Sequence, residues 1–105
     1  MQTFSERIIK MALKIPKGRV ATYGAMARAA GGGARAAMSI TAILGKAEDE
    51  GVKNIPFHRI VYADGKVWLD NEHKAKRLAL YKKEGIKLDA KNRIVNFRDK
   101  LFEFK

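Results

Sequence analysis

Side chains able to do chemistry crowd together in one segment, Ile55-Pro56-Phe57-His58-Arg59-Ile60-Val61. Read from residue types alone, it is a strand with proline at its start, where the missing N–H is tolerated, and with His58 and Arg59 on opposite faces. An imidazole can serve as a base, but a reaction centre also needs a nucleophile within reach. None accompanies it, so His58 by itself reads as a packed, hydrogen-bonded core histidine. Cysteine is absent from the sequence, which removes disulfides, thiolate nucleophiles, zinc–thiolate sites and iron–sulfur clusters together. There is no Gly-Lys-Ser/Thr phosphate loop and no His-Glu-x-x-His motif, and Gly31-Gly32-Gly33 follows a helix where a dinucleotide fingerprint follows a strand. The triple glycine therefore reads as a linker. No cofactor and no metal are expected.

Positive charge is what the sequence has in abundance. Its 105 residues carry 22 Lys and Arg against 11 Asp and Glu, a net +11. Residues 1–46 hold all but four of those net charges, with Glu6 as their only acid. An excess of this size favours a polyanionic partner. No apolar run approaches the roughly 18 residues needed to cross a bilayer, and Met1 to Lys10 lacks the apolar stretch of a secretory signal. A soluble, cytoplasmic monomer without membrane contact is expected. With 47% hydrophobic residues and two prolines, residues 1–105 can form one domain around a small core.

Periodicity predicts the surrounding elements. Thr3-Phe4-Ser5-Glu6 has capping-box spacing, and Phe4, Ile8, Ile9, Ala12 and Leu13 recur at helical intervals, which predicts a helix over Thr3 to Lys14. Thr22 can cap a second helix over Tyr23 to Ala30, and a third, rich in small residues, is predicted from Ala34 to Lys46. Two short helices joined by a glycine-containing turn make a candidate helix-turn-helix. Ala47 to Asn54 reads as a polar loop. Phe57 to Val61 and Val67 to Leu69 flank Ala63-Asp64-Gly65-Lys66, the pattern of a β-hairpin or wing. A last helix is predicted over Glu72 to Glu84, capped by Asp70 or Asn71 and ended by Gly85. The tail, with Ile94, Phe97, Leu101, Phe102 and Phe104, is apolar enough to pack back on the domain.

Pro56-Phe57-His58-Arg59-Ile60-Val61 resembles the active-site segment of the O6-alkylguanine-DNA alkyltransferases, which reads Pro-Cys-His-Arg-Val. Ile15-Pro16-Lys17-Gly18-Arg19-Val20-Ala21-Thr22-Tyr23-Gly24 resembles that family's entry into its helix-turn-helix, and Ala34-Arg35-Ala36 its arginine-bearing recognition helix. Asp64-Gly65 and Glu84-Gly85 keep the family's spacing. The resemblance covers nearly the entire chain and implies an α+β fold, a small single domain with a winged helix-turn-helix. Phe57 stands where the family has its alkyl-accepting cysteine. A phenyl ring cannot be the nucleophile that alkyl transfer requires. The sequence in this respect is similar to the alkyltransferase-like proteins, which bind alkylated DNA without repairing it, and Lys100-Leu101-Phe102-Glu103-Phe104 resembles their aromatic C-terminal end.

Carried over by position, the resemblance implies a lesion pocket of Phe57, His58, Arg59, Trp68 and Glu84. It implies a DNA-binding surface of Tyr23, Arg35, Thr22, Ala36 and Ser39, and the basic N-terminal half offers Lys17, Arg19, Arg28 and Lys46 as candidate phosphate contacts. Tyr23 presses on the phosphate beside an O6-alkylguanine and helps turn the nucleotide out of the duplex. Arg35 fills the gap in the base stack from the minor groove, where a cation is favoured. A second register puts Met38 in that place, because the interval from Tyr23 to Arg35 is shorter than in the family, and methionine can wedge between bases. His58 and Glu84 match a hydrogen-bonded pair of the enzymes, structural here without a thiol. Asp70-Asn71-Glu72-His73 replaces the family's Tyr-Ser-Gly-Gly lid. The implied partners are double-stranded DNA carrying O6-alkylguanine and nucleotide excision repair proteins, and no enzyme activity is expected. A rival reading is a winged-helix transcription regulator that binds DNA without lesion preference.

Overall fold

The computed structural model describes residues 3–69 and 71–104, with the backbone alone for Ala34 and Arg35. Thr3 opens helix α1, Phe4–Lys14, its hydroxyl accepting the Glu6 N–H at 3.1 Å. This satisfies a donor that the helix leaves orphaned. Ile8 and Ala12, four apart, are fully buried on one face. After Pro16, the two-residue strand β1, Ala21–Thr22, leads directly into α2, Tyr23–Ala29. The Thr22 hydroxyl caps α2 by accepting the Ala25 N–H at 3.1 Å.

The glycine run after α2 is more than the linker expected. Gly31 and Gly32 donate back to the Arg28 and Ala27 carbonyls at 3.0 and 2.8 Å, a Schellman ending with Gly31 at φ 90°. A Cβ on Gly32 would lie 2.7 Å from the Ala36 Cβ and 2.8 Å from the Phe4 ring. The turn is a packed joint that sets the angle between α2 and the next segment.

That segment is not the single helix predicted over Ala34 to Lys46. Ala34–Ser39 is a 3-10 turn, and the α-helix α3 runs Ile40–Asp49. The tighter turn carries Ala36 and Ala37 onto the first core, while Ile40, Leu44 and Ala47 form the buried stripe of α3. That stripe carries the helix three residues into the segment read as a polar loop, as far as Asp49, and the rest of that segment is turn and irregular chain as expected. Glu48, Asp49 and Glu50 are unfavourable at the negative end of a helix dipole, which is why the sequence pointed to an earlier stop. Burial of Ala47 and a Schellman ending at Gly51, φ 103°, outweigh it.

Phe57–Arg59 forms a 3-10 turn where a strand was expected, and only Ile60–Val61, β2, is extended. His58 and Arg59 turn to the same partner, Glu84, and an alternating strand could not present both. β2 pairs in parallel with β1, in the register Ala21↔Ile60 and Thr22↔Val61. The hairpin expected through Leu69 reduces to a tight turn, with Tyr62 N–H on the Lys66 carbonyl at 3.0 Å. Lys66 instead bridges Arg93, and Leu88 pairs with Ile94, so the wing is completed by a hairpin of the tail. Asp89 and Asn92 make its turn, the Asp89 carboxylate accepting the Lys91 and Arg93 N–H groups.

Helix α4 spans Lys74–Lys83, shorter at both ends than predicted, and His73 rather than Asn71 precedes it. Asp70, the other candidate cap and the first residue of the altered lid, lies outside the described residues. Gly85 ends α4 at φ 75°, as its place after the helix predicts. A four-residue helix α5, Phe97–Lys100, then returns the chain to β1, where Val20 and Leu101 pair in parallel. The tail does pack back. Phe102 and Phe104 lie on the first core with α1, α2 and α3, and Ile94 and Phe97 join a second core with Val20, Val61, Val67, Tyr81 and Ile86. Among the described residues no helix is long and apolar enough to cross a membrane.

Candidate nucleic-acid interface

The Phe57–Arg59 turn sits between the two cores and has two unlike sides. Beneath it, Glu84 at the end of α4 gathers four donors. His58 Nε2 lies 2.6 Å from Oε2, Arg59 donates from Nε and Nη2 at 3.0 and 2.9 Å, and the Gly18 N–H donates at 3.1 Å. Arg59 also donates from Nη1 to the Ile15 carbonyl at 2.9 Å, and the Tyr81 hydroxyl donates to the His58 carbonyl at 2.6 Å. The cluster thus ties the α1–β1 connection, the 3-10 turn and α4 together. Burial alone would raise the Glu84 carboxyl, but the bonds from Arg59, His58 and Gly18 outweigh it and hold the group down at about 2. Burial pushes the His58 imidazole down despite its bond to Glu84, so the neutral ring donates Nε2–H to a carboxylate that Arg59 already neutralises. Burial keeps the Tyr81 hydroxyl protonated well above its ordinary range.

Above the turn lies a cavity of about 130 Å³. Four aromatic side chains, Tyr23, Phe57, Tyr62 and Trp68, line it together with Thr41 and Arg77. Tyr23 and Thr41 bring the first turns of α2 and α3 to its wall, so both helices of the helix-turn-helix contribute. The Tyr23 and Tyr62 rings lie 5.6 Å apart at 46°. Arg77 stacks its guanidinium 5.1 Å from the Trp68 ring centroid and donates to the Trp68 carbonyl at 3.1 Å, which braces the half-exposed indole. A larger recess of about 470 Å³ shares Thr41, Phe57 and Arg77 with the cavity and reaches His58, Lys76 and Glu48.

Of the residues proposed for the pocket, Phe57 and Trp68 line the aromatic cavity, His58 lines the adjoining recess, and Arg59 and Glu84 lie in the cluster below. Thr22 spends its hydroxyl on the α2 cap, and Ala36 is half-buried against the first core. Ser39, Lys17, Arg28 and Lys46 are exposed, Lys46 lying 4.0 Å from Glu50. Arg19 is exposed while donating to the Asp99 carbonyl. Arg35 belongs to the 3-10 turn, and its side chain lies outside the described residues. Sequence reading missed Thr41, Tyr62 and Arg77. Thr41 follows the α3 periodicity, but Tyr62 and Arg77 reach the cavity through tertiary packing that no local pattern announces. Among the described residues, no group of three or more His, Asp or Glu is placed to hold a metal ion.

Comparison with known proteins agrees with this geometry. The family model for the 6-O-methylguanine DNA methyltransferase, DNA binding domain, matches residues 3–86. The fold is similar to that of S. pombe Atl1 in complex with damaged DNA containing O6-carboxymethylguanine, at 19% identity and TM-score 0.67, covering 99% of this chain and 100% of that one. It is similar to S. pombe ATL in complex with DNA at 20% identity and TM-score 0.75, with the same coverage. The M. tuberculosis O6-methylguanine methyltransferase matches 80% of this chain with 49% of its own, at 26% identity and TM-score 0.60. This chain therefore spans about half the length of that enzyme. No curated protein sequence matches it. With four fifths of its residues inside the family model, the chain belongs to the family of the 6-O-methylguanine DNA methyltransferase DNA-binding domain.

Proposed function

We propose that this chain recognises O6-alkylated guanine in duplex DNA, holds the everted base in the aromatic cavity, transfers nothing, and marks the site for excision repair. The observation that carries the reading is Phe57. It occupies the family's reacting position, it lines the cavity, and it offers a flat apolar face on which a purine can stack, worth roughly 1–3 kcal/mol per base. Alkyl transfer needs a thiolate, and the sequence contains no cysteine. The likeness in fold to S. pombe Atl1 bound to damaged DNA supports the same reading.

Eversion costs a few kcal/mol, and less where alkylation has already weakened the pair, so selection for damage starts before the base meets the cavity. Tyr23, at the first turn of α2 and at the cavity wall, contacts the phosphate beside the lesion. Lys17, Arg19, Arg28 and Lys46 contribute charge to the backbone contact, which makes binding fall steeply as salt rises. Arg35 or Met38 fills the vacated place in the stack. The recess beyond Phe57 receives the O6 substituent.

The test is a titration of duplexes identical except for one O6-methylguanine, at fixed salt, with a parallel assay for labelled methyl passing from DNA to protein. The expected result is preference for the lesion, loss of that preference in Tyr23→Ala, and no labelled protein. Equal affinity for both duplexes overturns the reading in favour of a winged-helix DNA binder without lesion preference, and labelled protein overturns it in favour of an alkyltransferase.

A further inference from the structure

Helix α4 serves two separate hollows. Lys76, Arg77 and Leu80 line the recess beyond Phe57, whereas Leu78, Tyr81 and Lys82, on another face of the helix, line a groove of about 340 Å³ that runs along the segment Gly85 to Leu88. The floor of this groove is apolar. Tyr81 and Ile86 are buried in it, Leu88 is half-buried, and Leu78 remains 38% exposed. Val95, 40% exposed, borders it through its N–H bond to the Lys87 carbonyl at 2.9 Å. The Tyr81 hydroxyl donates to the His58 carbonyl, so the groove is built on the same cluster that carries the Phe57–Arg59 turn. A surface held this firmly needs little reordering to receive a partner.

The rim carries charge of one sign. Lys82 and Lys87 line the groove, Lys83 follows on the helix, and all three are exposed. Three and four residues before Lys82 and Lys83 stand Leu78, Ala79 and Leu80, so no carboxylate of the helix answers either lysine. The acids nearest in sequence are already engaged: Glu84 is bound by His58 and Arg59, and the Asp89 carboxylate accepts the Lys91 and Arg93 N–H groups. An apolar floor inside a cationic rim selects an occupant that is apolar and anionic at once. A second copy of this chain would set lysines against lysines, and duplex DNA offers phosphates but no side chain for the floor. We propose that the groove binds an acidic protein segment anchored by a large apolar side chain, and that it does so while the DNA-facing side of the molecule is occupied. That the segment belongs to an excision repair protein rests on the function proposed above; the chemistry of the groove does not.

The probe is a short fluorescent peptide of Asp, Glu and Ser carrying leucines, titrated by anisotropy at fixed salt beside two companions, one with the leucines replaced by alanine and one with the acids replaced by their amides. Wild type is expected to bind the first peptide about tenfold more tightly than either companion, with the amide signals of Leu78, Lys82 and Leu88 shifting on binding. A saturating O6-methylguanine duplex is expected to leave the peptide bound. Leu78→Gln, which keeps a good helix former at an exposed position, and the double variant Lys82→Glu, Lys87→Glu should each lower peptide affinity about tenfold, and Leu78→Gln should retain the wild-type affinity for duplex. Equal binding of the alanine peptide would overturn the proposal, because the attraction would then be to charge alone. Displacement of the peptide by the duplex would overturn it too, making the lysines a nucleic-acid contact, as would a leucine peptide that does not bind. Lesion preference is measured on DNA without peptide, so the cavity reading and the groove reading fail separately.

Discussion

Below and above Phe57 the molecule follows opposite rules. Below, Glu84 and its donors form a closed set: the Glu84 side chain is 4% exposed, and four donors meet its two oxygens. Above, the aromatic cavity, the half-exposed Trp68 and the outward Met38 leave apolar surface uncovered. The lower side is complete without a ligand and the upper side is not. The bonds to Glu84 hold the Phe57–Arg59 turn at a fixed height between three segments, so the cluster serves as a clamp. A rigid floor under an open cavity is what a binding site needs if bound base and protein are to meet in one geometry.

The floor is where the largest effect is expected. Glu84→Ala leaves Arg59 and His58 without their shared acceptor, and removing one partner of a buried ion pair costs about 3 kcal/mol or more. Chemical denaturation should show that loss, and a wild-type midpoint in Glu84→Ala would refute the clamp. Acid should have a related effect. The Glu84 carboxyl is held at about 2 in the folded protein against an ordinary 4.5, so its contribution is complete above about pH 4.5 and disappears as pH falls toward 2. His58 acts in the same direction from higher pH. The unfolded chain takes up a proton near 6.5, the folded ring resists it, and stability declines as pH drops below that value. Measuring unfolding free energy from pH 7 to pH 3 for wild type and Glu84→Gln tests the carboxyl part, which should be missing from the variant.

The same division explains what could be read from the sequence. The caps at Thr3 and Thr22 and the helix end at Gly85 were legible because each depends on residues within a turn or two. The resemblance at Pro56 to Val61 pointed to the segment whose Phe57 and Ile60 line the aromatic cavity. What escaped was every feature decided by distant partners. Phe57–Arg59 alternates like a strand, yet Glu84, 25 residues beyond Arg59, draws it into a 3-10 turn. Val67 to Leu69 looked like the return of a hairpin, but Lys66 finds Arg93 in the tail. The acidic run Glu48 to Glu50 argued for a loop, and the burial of Ala47 kept Glu48 and Asp49 helical. The second recess followed from none of these patterns, because its walls come from α3, α4 and the Phe57 turn at once.

On the open side, Phe57→Ala is expected to weaken lesion binding while costing less stability than Glu84→Ala. The half-buried ring offers stacking worth about 1–3 kcal/mol to a bound base, so affinity for the O6-methylguanine duplex should drop roughly tenfold or more, with affinity for intact duplex nearly preserved. Phe57→Trp should retain the preference, since it keeps a flat aromatic face. Equal losses on both duplexes would mean that Phe57 supports the fold without touching the base.

The smallest effect is expected at Arg77, which bridges the open side and α4. Its guanidinium covers the Trp68 ring and bonds to the Trp68 carbonyl, a contact worth about 0.5–1 kcal/mol at a partly exposed site. Trp68 is the single tryptophan of the sequence, so its emission reports this wall of the cavity alone. Arg77→Ala should shift that emission toward a more solvated indole in free protein and lower lesion affinity only a few-fold. In wild type, binding of the lesion duplex should change Trp68 emission, whereas intact duplex at the same occupancy should change it less. Arg77→Lys separates the two contributions. It keeps a cation beside the ring but loses the planar stacking surface of the guanidinium, so a spectrum matching Arg77→Ala assigns the restraint to geometry, and one matching wild type assigns it to charge.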